Sequence, residues 1–164
     1  MMLEKLKFLD GLLDLAEIGG GMHHHERLAK RGKMPVRERV MNVLDPDTPF
    51  LEIQPFAAYG TNNYNVGGGC VSGIGIISGV ECVIFANDPT VLAGAMHFYS
   101  VKKWMRCMQI ARDCRIPFIQ FVESAGGDLR PRAGAAVGGM GHFAESGRQF
   151  YEITELSKLN IPTV

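Results

Sequence analysis

An α/β fold is predicted for this chain from three features of its hydrophobic pattern. Cys70–Ile77 and Val80–Ala86 are apolar, β-branched runs joined by a Ser78-Gly79 turn, which reads as a hairpin. Val101, Trp104, Met105, Met108 and Ala111 then recur at helical spacing. Ile116 to Val122 is a short apolar run that stops abruptly in Ser124-Ala125-Gly126-Gly127, as a buried strand ending in a tight turn would. With the elements that follow, the order is strand, strand, helix, strand, helix, strand, which is an α/β order.

Each remaining element has its own signal. Leu6, Leu9, Leu13 and Ala16 predict an amphipathic first helix, ended by Gly19-Gly20-Gly21 acting as a hinge. A second helix is expected over Met22–Lys30, and Pro35 opens a third that reaches Leu44. Residues 1–45 therefore form an N-terminal helical segment, and 46–164 the start of the main domain. Asp45-Pro46-Asp47-Thr48-Pro49 breaks the third helix, Phe50–Ile53 is a short strand, and Gln54–Asn65 is a polar loop. Past the hairpin come the helix 101–114, the strand Pro117–Val122, a Gly/Ala/Arg loop from Ala125 to about His142, and a helix from Glu145 to Lys158. Ile161-Pro162-Thr163-Val164 has the pattern of a further strand's opening.

At 164 residues, 46% of them hydrophobic, the chain is long enough for one domain with its own core. Lys plus Arg equals Asp plus Glu, so no global field favours nucleic acid or an anionic membrane. A polyanionic ligand would need a local basic cluster. No apolar run approaches a membrane span, and the N-terminus lacks the features of a signal peptide. Cys70, Cys82, Cys107 and Cys114 form no C-x-x-C pair, so buried reduced thiols and a cytoplasmic location are expected. His23-His24-His25 is not expected to hold a metal, because consecutive helical side chains diverge.

The chemistry concentrates at Glu123-Ser124-Ala125-Gly126-Gly127-Asp128. Tiny residues at a strand end leave main-chain N–H groups open to a ligand, and such donors stabilise a developing oxyanion. Together with Val66-Gly67-Gly68-Gly69-Cys70, the Ser78-Gly79-Val80-Glu81-Cys82 turn, Arg37-Glu38-Arg39 and Val101-Lys102-Lys103, this loop resembles the carboxyltransferase (β) subunit of biotin-dependent acyl-CoA carboxylases. The closest likeness is to the 3-methylcrotonyl-CoA and related branched-acyl carboxylases, and it runs from about Arg31 to Val164.

The resemblance implies a crotonase-like spiral of ββα units, incomplete at its C-terminus. It also implies transfer of a carboxyl group from carboxybiotin to an acyl-CoA by way of a thioester enolate. Ala125, Gly126 and Gly127 stand where the family places a main-chain oxyanion donor, with the N–H of Ala125 or Gly126 expected to point inward. The usual Asp-Ser-Gly-Gly-Ala pattern is altered here at Glu123 and Ala125. Lys103, with Lys102 beside it, matches a lysine that would meet the phosphates of coenzyme A. Arg37 and Arg39, with Arg31 and Lys33, match the family's Arg-Gly-Lys…Arg-Glu-Arg signature, which either binds CoA or packs the N-terminal helices. Arg130 and Arg132 would orient the thioester arm or Glu123, and Gly134–Gly141 would form a lid over the acyl pocket or a disordered loop. Biotin would arrive on a biotin carboxylase/carboxyl carrier α subunit, with β subunits in a hexamer. The family's second oxyanion donor and biotin-side domain are not found in the sequence, so the isolated chain is expected to be inactive.

Two other readings remain open: a crotonase-type enoyl-CoA hydratase or acyl-CoA decarboxylase, and a non-catalytic CoA-binding or assembly module. A hydratase needs pocket carboxylates for acid–base work on water, and Glu123 is the one candidate at the loop. The Gly-Gly-Gly hairpin entry favours the carboxylase.

Overall fold

The computed structural model describes residues 1–128 and 140–164, with the backbone alone over 140–146. Three helices come first: α1 (Met2–Ile18), α2 (Met22–Ala29) and α3 (Val36–Met41). They are followed by β1 (Leu51–Glu52), β2 (Cys70–Ile77), β3 (Val80–Asn87), α4 (Phe98–Cys114), β4 (Phe118–Phe121) and α5 (Met140–Lys158). The sheet has the order β1-β2-β3-β4, antiparallel at the first two pairings and parallel between β3 and β4. A parallel pair needs a crossover, and α4 supplies it.

Beside β4 the chain adds one more parallel segment. Phe118 N donates to Pro162 O at 2.9 Å, and Gln120 N to Val164 O at 2.8 Å. The strand opening expected at Ile161–Val164 is therefore present and paired, with α5 as its crossover.

The hydrophobic pattern of β3 explains the layering. Val83 and Phe85 face a core completed by Trp104, Cys107, Met108 and Leu156 of α4 and α5. Cys82, Ile84 and Ala86 face the opposite way, against Val36, Val40 and Leu44 of the N-terminal segment. Both faces of β3 are covered, which is why its sequence is almost continuously apolar instead of alternating.

Several expectations need correction. Gly19–Gly21 ends α1 but is a packed junction, not a free hinge: Gly20 N donates to Thr90 Oγ1 at 3.0 Å, and Asn65 Nδ2 to Gly19 O at 2.8 Å. The apolar stripe of α1 is mostly open, with Ala16 its one buried residue while Leu6, Leu9 and Leu13 are exposed. α4 starts three residues earlier than its apolar spacing suggested. His97 caps it, accepting from Tyr99 N through Nδ1 while its own N–H donates to Ser100 Oγ at 2.7 Å. Cys70, Cys82 and Cys107 are buried free thiols, whereas Cys114 is exposed. Among the described residues, no helix is long and apolar enough to cross a membrane.

Candidate functional site

β4 delivers the chain into the Ser124–Gly127 loop, which runs beside residues 92–96. Ala125 N donates to Ala93 O at 3.1 Å, Met96 N to Gly126 O at 2.8 Å, and Asp128 N to Met96 O at 2.8 Å. Presenting Ala93 O requires an unusual turn, with Leu92, Ala93 and Gly94 all left-handed at φ 50°, 53° and 72°. For Leu and Ala this conformation costs roughly 1–2 kcal/mol each. Gly94 permits the close approach, since a Cβ there would collide with the Glu123 carbonyl oxygen.

These contacts reassign the loop's donors. The Ala125 N–H is occupied by Ala93, and that of Gly126 donates to Ser124 Oγ at 3.1 Å. Gly127 alone of the three has an N–H with no acceptor among the described residues. Gly126, at φ 100°, supplies the turn that presents it.

The basic residues singled out in the sequence divide into two groups. In the first, each cation is already neutralised. Arg37 makes a two-pronged pair with Glu52, Nη1 at 2.8 Å and Nη2 at 3.0 Å. Burial pulls the Arg37 pKa down, but the hydrogen bonds and charge of Glu52 outweigh it and hold the guanidinium above its ordinary value. Arg39 and Lys33 both donate to the Glu123 carboxylate, at 2.7 and 2.5 Å. The Lys33 hydrogen bond, opposed by partial burial and assisted by Arg39, holds Glu123 below the usual carboxylate range. Of the two roles weighed for this signature, packing of the N-terminal segment is the one these contacts perform. Glu123 is correspondingly unsuited to act as a free acid–base group.

Lys103 is also a correction. It is 1% exposed, and its ammonium donates to Gly67 O at 2.9 Å and Cys70 O at 2.8 Å. It ties α4 to the glycine-rich entry of β2 and offers no charge to a phosphate at the surface.

The second group is open. Lys102 Nζ lies 4.2 Å from the centre of the Phe98 ring and borders a groove of about 390 Å³. The groove is lined by Gln54, Lys102, Met105, Arg106, Gln109, Arg112, Arg148 and Glu152. Glu152, 3% exposed, accepts from Arg112 at 2.8 Å and Arg148 at 3.1 Å and so fixes both guanidinium groups. Four cations thus face one carboxylate, an arrangement suited to phosphate groups. Sequence reasoning found Lys102 but missed Arg106, Arg112 and Arg148. The available signal was the polar face of α4 at positions 102, 106, 109 and 112, opposite its apolar stripe.

Arg130, Arg132 and most of the glycine-rich run from Gly134 lie outside the described residues, while Met140 and Gly141 begin α5. Burial pushes the Cys107 thiol up to about 12 and raises that of Cys70, so neither is a nucleophile near neutral pH. No group of three or more metal-binding side chains converges among the described residues.

The carboxyl transferase domain model matches residues 27–164. The chain belongs to this family. It is 41% identical over 160 residues to the probable biotin-dependent acyl-coenzyme A carboxylase beta2 subunit of Mycobacterium tuberculosis, covering 98% of this chain and 29% of that protein. It is 37% identical over 161 residues to the mitochondrial methylcrotonoyl-CoA carboxylase beta chain of Dictyostelium discoideum, covering 97% of this chain and 27% of that one. Among solved structures, the beta subunit of Pseudomonas aeruginosa geranyl-CoA carboxylase superposes with a TM-score of 0.78 at 31% identity, covering 99% of this chain and 29% of that one. Transcarboxylase 12S, whose structure is a hexamer with methylmalonyl-coenzyme A bound, gives 0.84 at 26% identity, covering 96% and 30%. The fold is the crotonase-like one implied by the sequence motifs. The carboxyl transferase chain described here spans less than a third of the length of these relatives.

Proposed function

We propose that this segment builds the acyl-CoA side of a carboxyltransferase active site, in which a carboxyl group passes from carboxybiotin to an acyl-CoA. The observation that carries the reading is the open N–H of Gly127 on a loop held by its neighbours. Removing a proton from the carbon α to the thioester carbonyl, or from the γ-carbon of an unsaturated acyl group, puts charge on the thioester oxygen. A fixed main-chain donor meets that charge without reorganising. Gly127 is that donor, and the groove of Lys102, Arg106, Arg112 and Arg148 receives the phosphates of coenzyme A. Carboxybiotin, brought by a biotin-carrying α subunit, supplies the carboxyl group. Assembly into a β hexamer is supported by the hexameric transcarboxylase. Three buried free thiols support a reducing compartment, the cytoplasm.

A full-length subunit bearing these residues, given carboxybiotin and a panel of acyl-CoAs, tests the reading. Gly126→Ala forces an L side chain into a φ of 100°, moves the Gly127 N–H and should lower kcat by about 10²–10³. Hydration of enoyl-CoAs in the absence of biotin would overturn the proposal. A second reading, acyl-CoA decarboxylation, is favoured by one relative: the methylmalonyl-CoA decarboxylase subunit alpha of Veillonella parvula is 28% identical over 160 residues. The same oxyanion donor serves both, because loss of CO2 from a carboxylated acyl-CoA also leaves the thioester enolate. The direction of net carboxyl transfer distinguishes them.

A further inference from the structure

Glu123 joins parts of the chain that lie 84 and 90 residues apart. Arg39 holds one carboxylate oxygen and Lys33 the other, so the carboxylate plane is fixed from both sides. Arg39 also donates to Met34 O at 3.2 Å, which fixes the guanidinium to its own segment. On its other side, the main-chain carbonyl of Glu123 is pressed against Gly94. The residue therefore sits where the loop leaves β4, gripped through its side chain by the N-terminal segment and through its backbone by the 92–94 turn.

The loop it introduces has little else to hold it. Ser124, Ala125, Gly126 and Gly127 are all exposed, so no hydrophobic burial fixes their positions. Their order rests on the peptide hydrogen bonds to Ala93 and Met96 and on the anchoring of Glu123. We propose that Glu123 is a positioning residue whose ion pairs with Lys33 and Arg39 make the geometry of the Ser124–Gly127 loop depend on the seating of the N-terminal helical segment. The catalytic consequence rests on the proposed function above, while the ionic coupling stands on the contacts alone.

Two measurements test it separately. In the first, amide hydrogen exchange is followed by mass spectrometry on the 164-residue chain. Glu123→Gln, Lys33→Met and Arg39→Met should each speed exchange of the hydrogen-bonded amides of Ala125 and Asp128 by about tenfold, and combining them should add little, since all break one network. Lys33 is half-exposed, so its variant keeps the fold even if another does not. Unchanged exchange in Lys33→Met and Arg39→Met, or simple addition of the separate effects, would overturn the coupling. In the second, Glu123→Gln in a full-length subunit should lower kcat about tenfold while KM for the acyl-CoA stays within about twofold, and Glu123→Asp should recover much of the loss. An unchanged kcat would overturn the catalytic role. A wild-type subunit without any carboxyl transfer would overturn the functional reading, leaving the coupling to be decided by exchange.

Discussion

Replacing Lys103 by Met separates two incompatible roles for this residue. As a phosphate ligand it would affect binding and leave stability alone. As the buried tie between α4 and the glycine-rich entry of β2, it should do the reverse. Its ammonium makes two hydrogen bonds, to Gly67 O and Cys70 O, and it is 1% exposed. A hydrogen bond to a charged group contributes about 1.5–3 kcal/mol, and a carbonyl left buried without a donor costs about 1–3 kcal/mol. Met keeps most of the packing volume and relieves the cost of burying a charge, which places the net loss near the lower end, about 3 kcal/mol. At roughly 2–4 °C per kcal/mol for a chain of this size, Tm should fall by about 10 °C. Calorimetric melts give the stability, and titration with coenzyme A at a temperature where the variant remains folded gives the affinity. A Tm within about 1 °C of wild type together with a tenfold loss of CoA affinity would refute the reasoning and return Lys103 to the phosphate site.

The α4/α5 groove should behave in the opposite manner: Lys102→Ala with Arg106→Glu is expected to weaken coenzyme A binding by at least about tenfold and flatten its salt dependence, with Tm almost unchanged, as measured by calorimetric titration at two ionic strengths. Equal binding by this variant would move the phosphates elsewhere. The Glu123 clamp sets a pH dependence whose sign follows from its lowered pKa. The stabilisation is fully present above the ordinary carboxylate value, about 4.3, and is lost as pH falls through the lower folded value. Exchange protection of the Ala125 and Asp128 amides should therefore differ between wild type and Glu123→Gln at pH 6, and the difference should vanish in strong acid; a difference that grew on acidification would contradict the ion pairs.

How much of this was legible in the sequence depended on whether the deciding contact was local. The hairpin was readable almost to the residue, since strand composition and the Ser78-Gly79 turn are both local signals. The start of α4 was missed because its cap is His97, outside the usual Ser, Thr, Asp and Asn set. The loop's place at the end of β4 was readable, but its free donor was not. That required knowing that Ala93, some thirty residues upstream and in a left-handed turn, occupies Ala125. The basic residues show the limit most clearly. Motif likeness marked Lys33, Arg37, Arg39 and Lys103 as candidates for anion binding, yet each is already hydrogen-bonded to an acceptor 15 to 90 residues away in the chain. One hint was present for Lys103: it shares the buried face of α4 with Ser100 and Cys107, three residues before and four after. In a chain whose net charge is zero, residue counts cannot say which cations are left over. Folding neutralises Lys33, Arg37 and Arg39 against Glu52 and Glu123, and leaves Lys102 and Arg106 facing the groove without a carboxylate partner among the described residues. Under the proposed function, the groove side of α4 and not the motif lysine is therefore the face left to meet the phosphates.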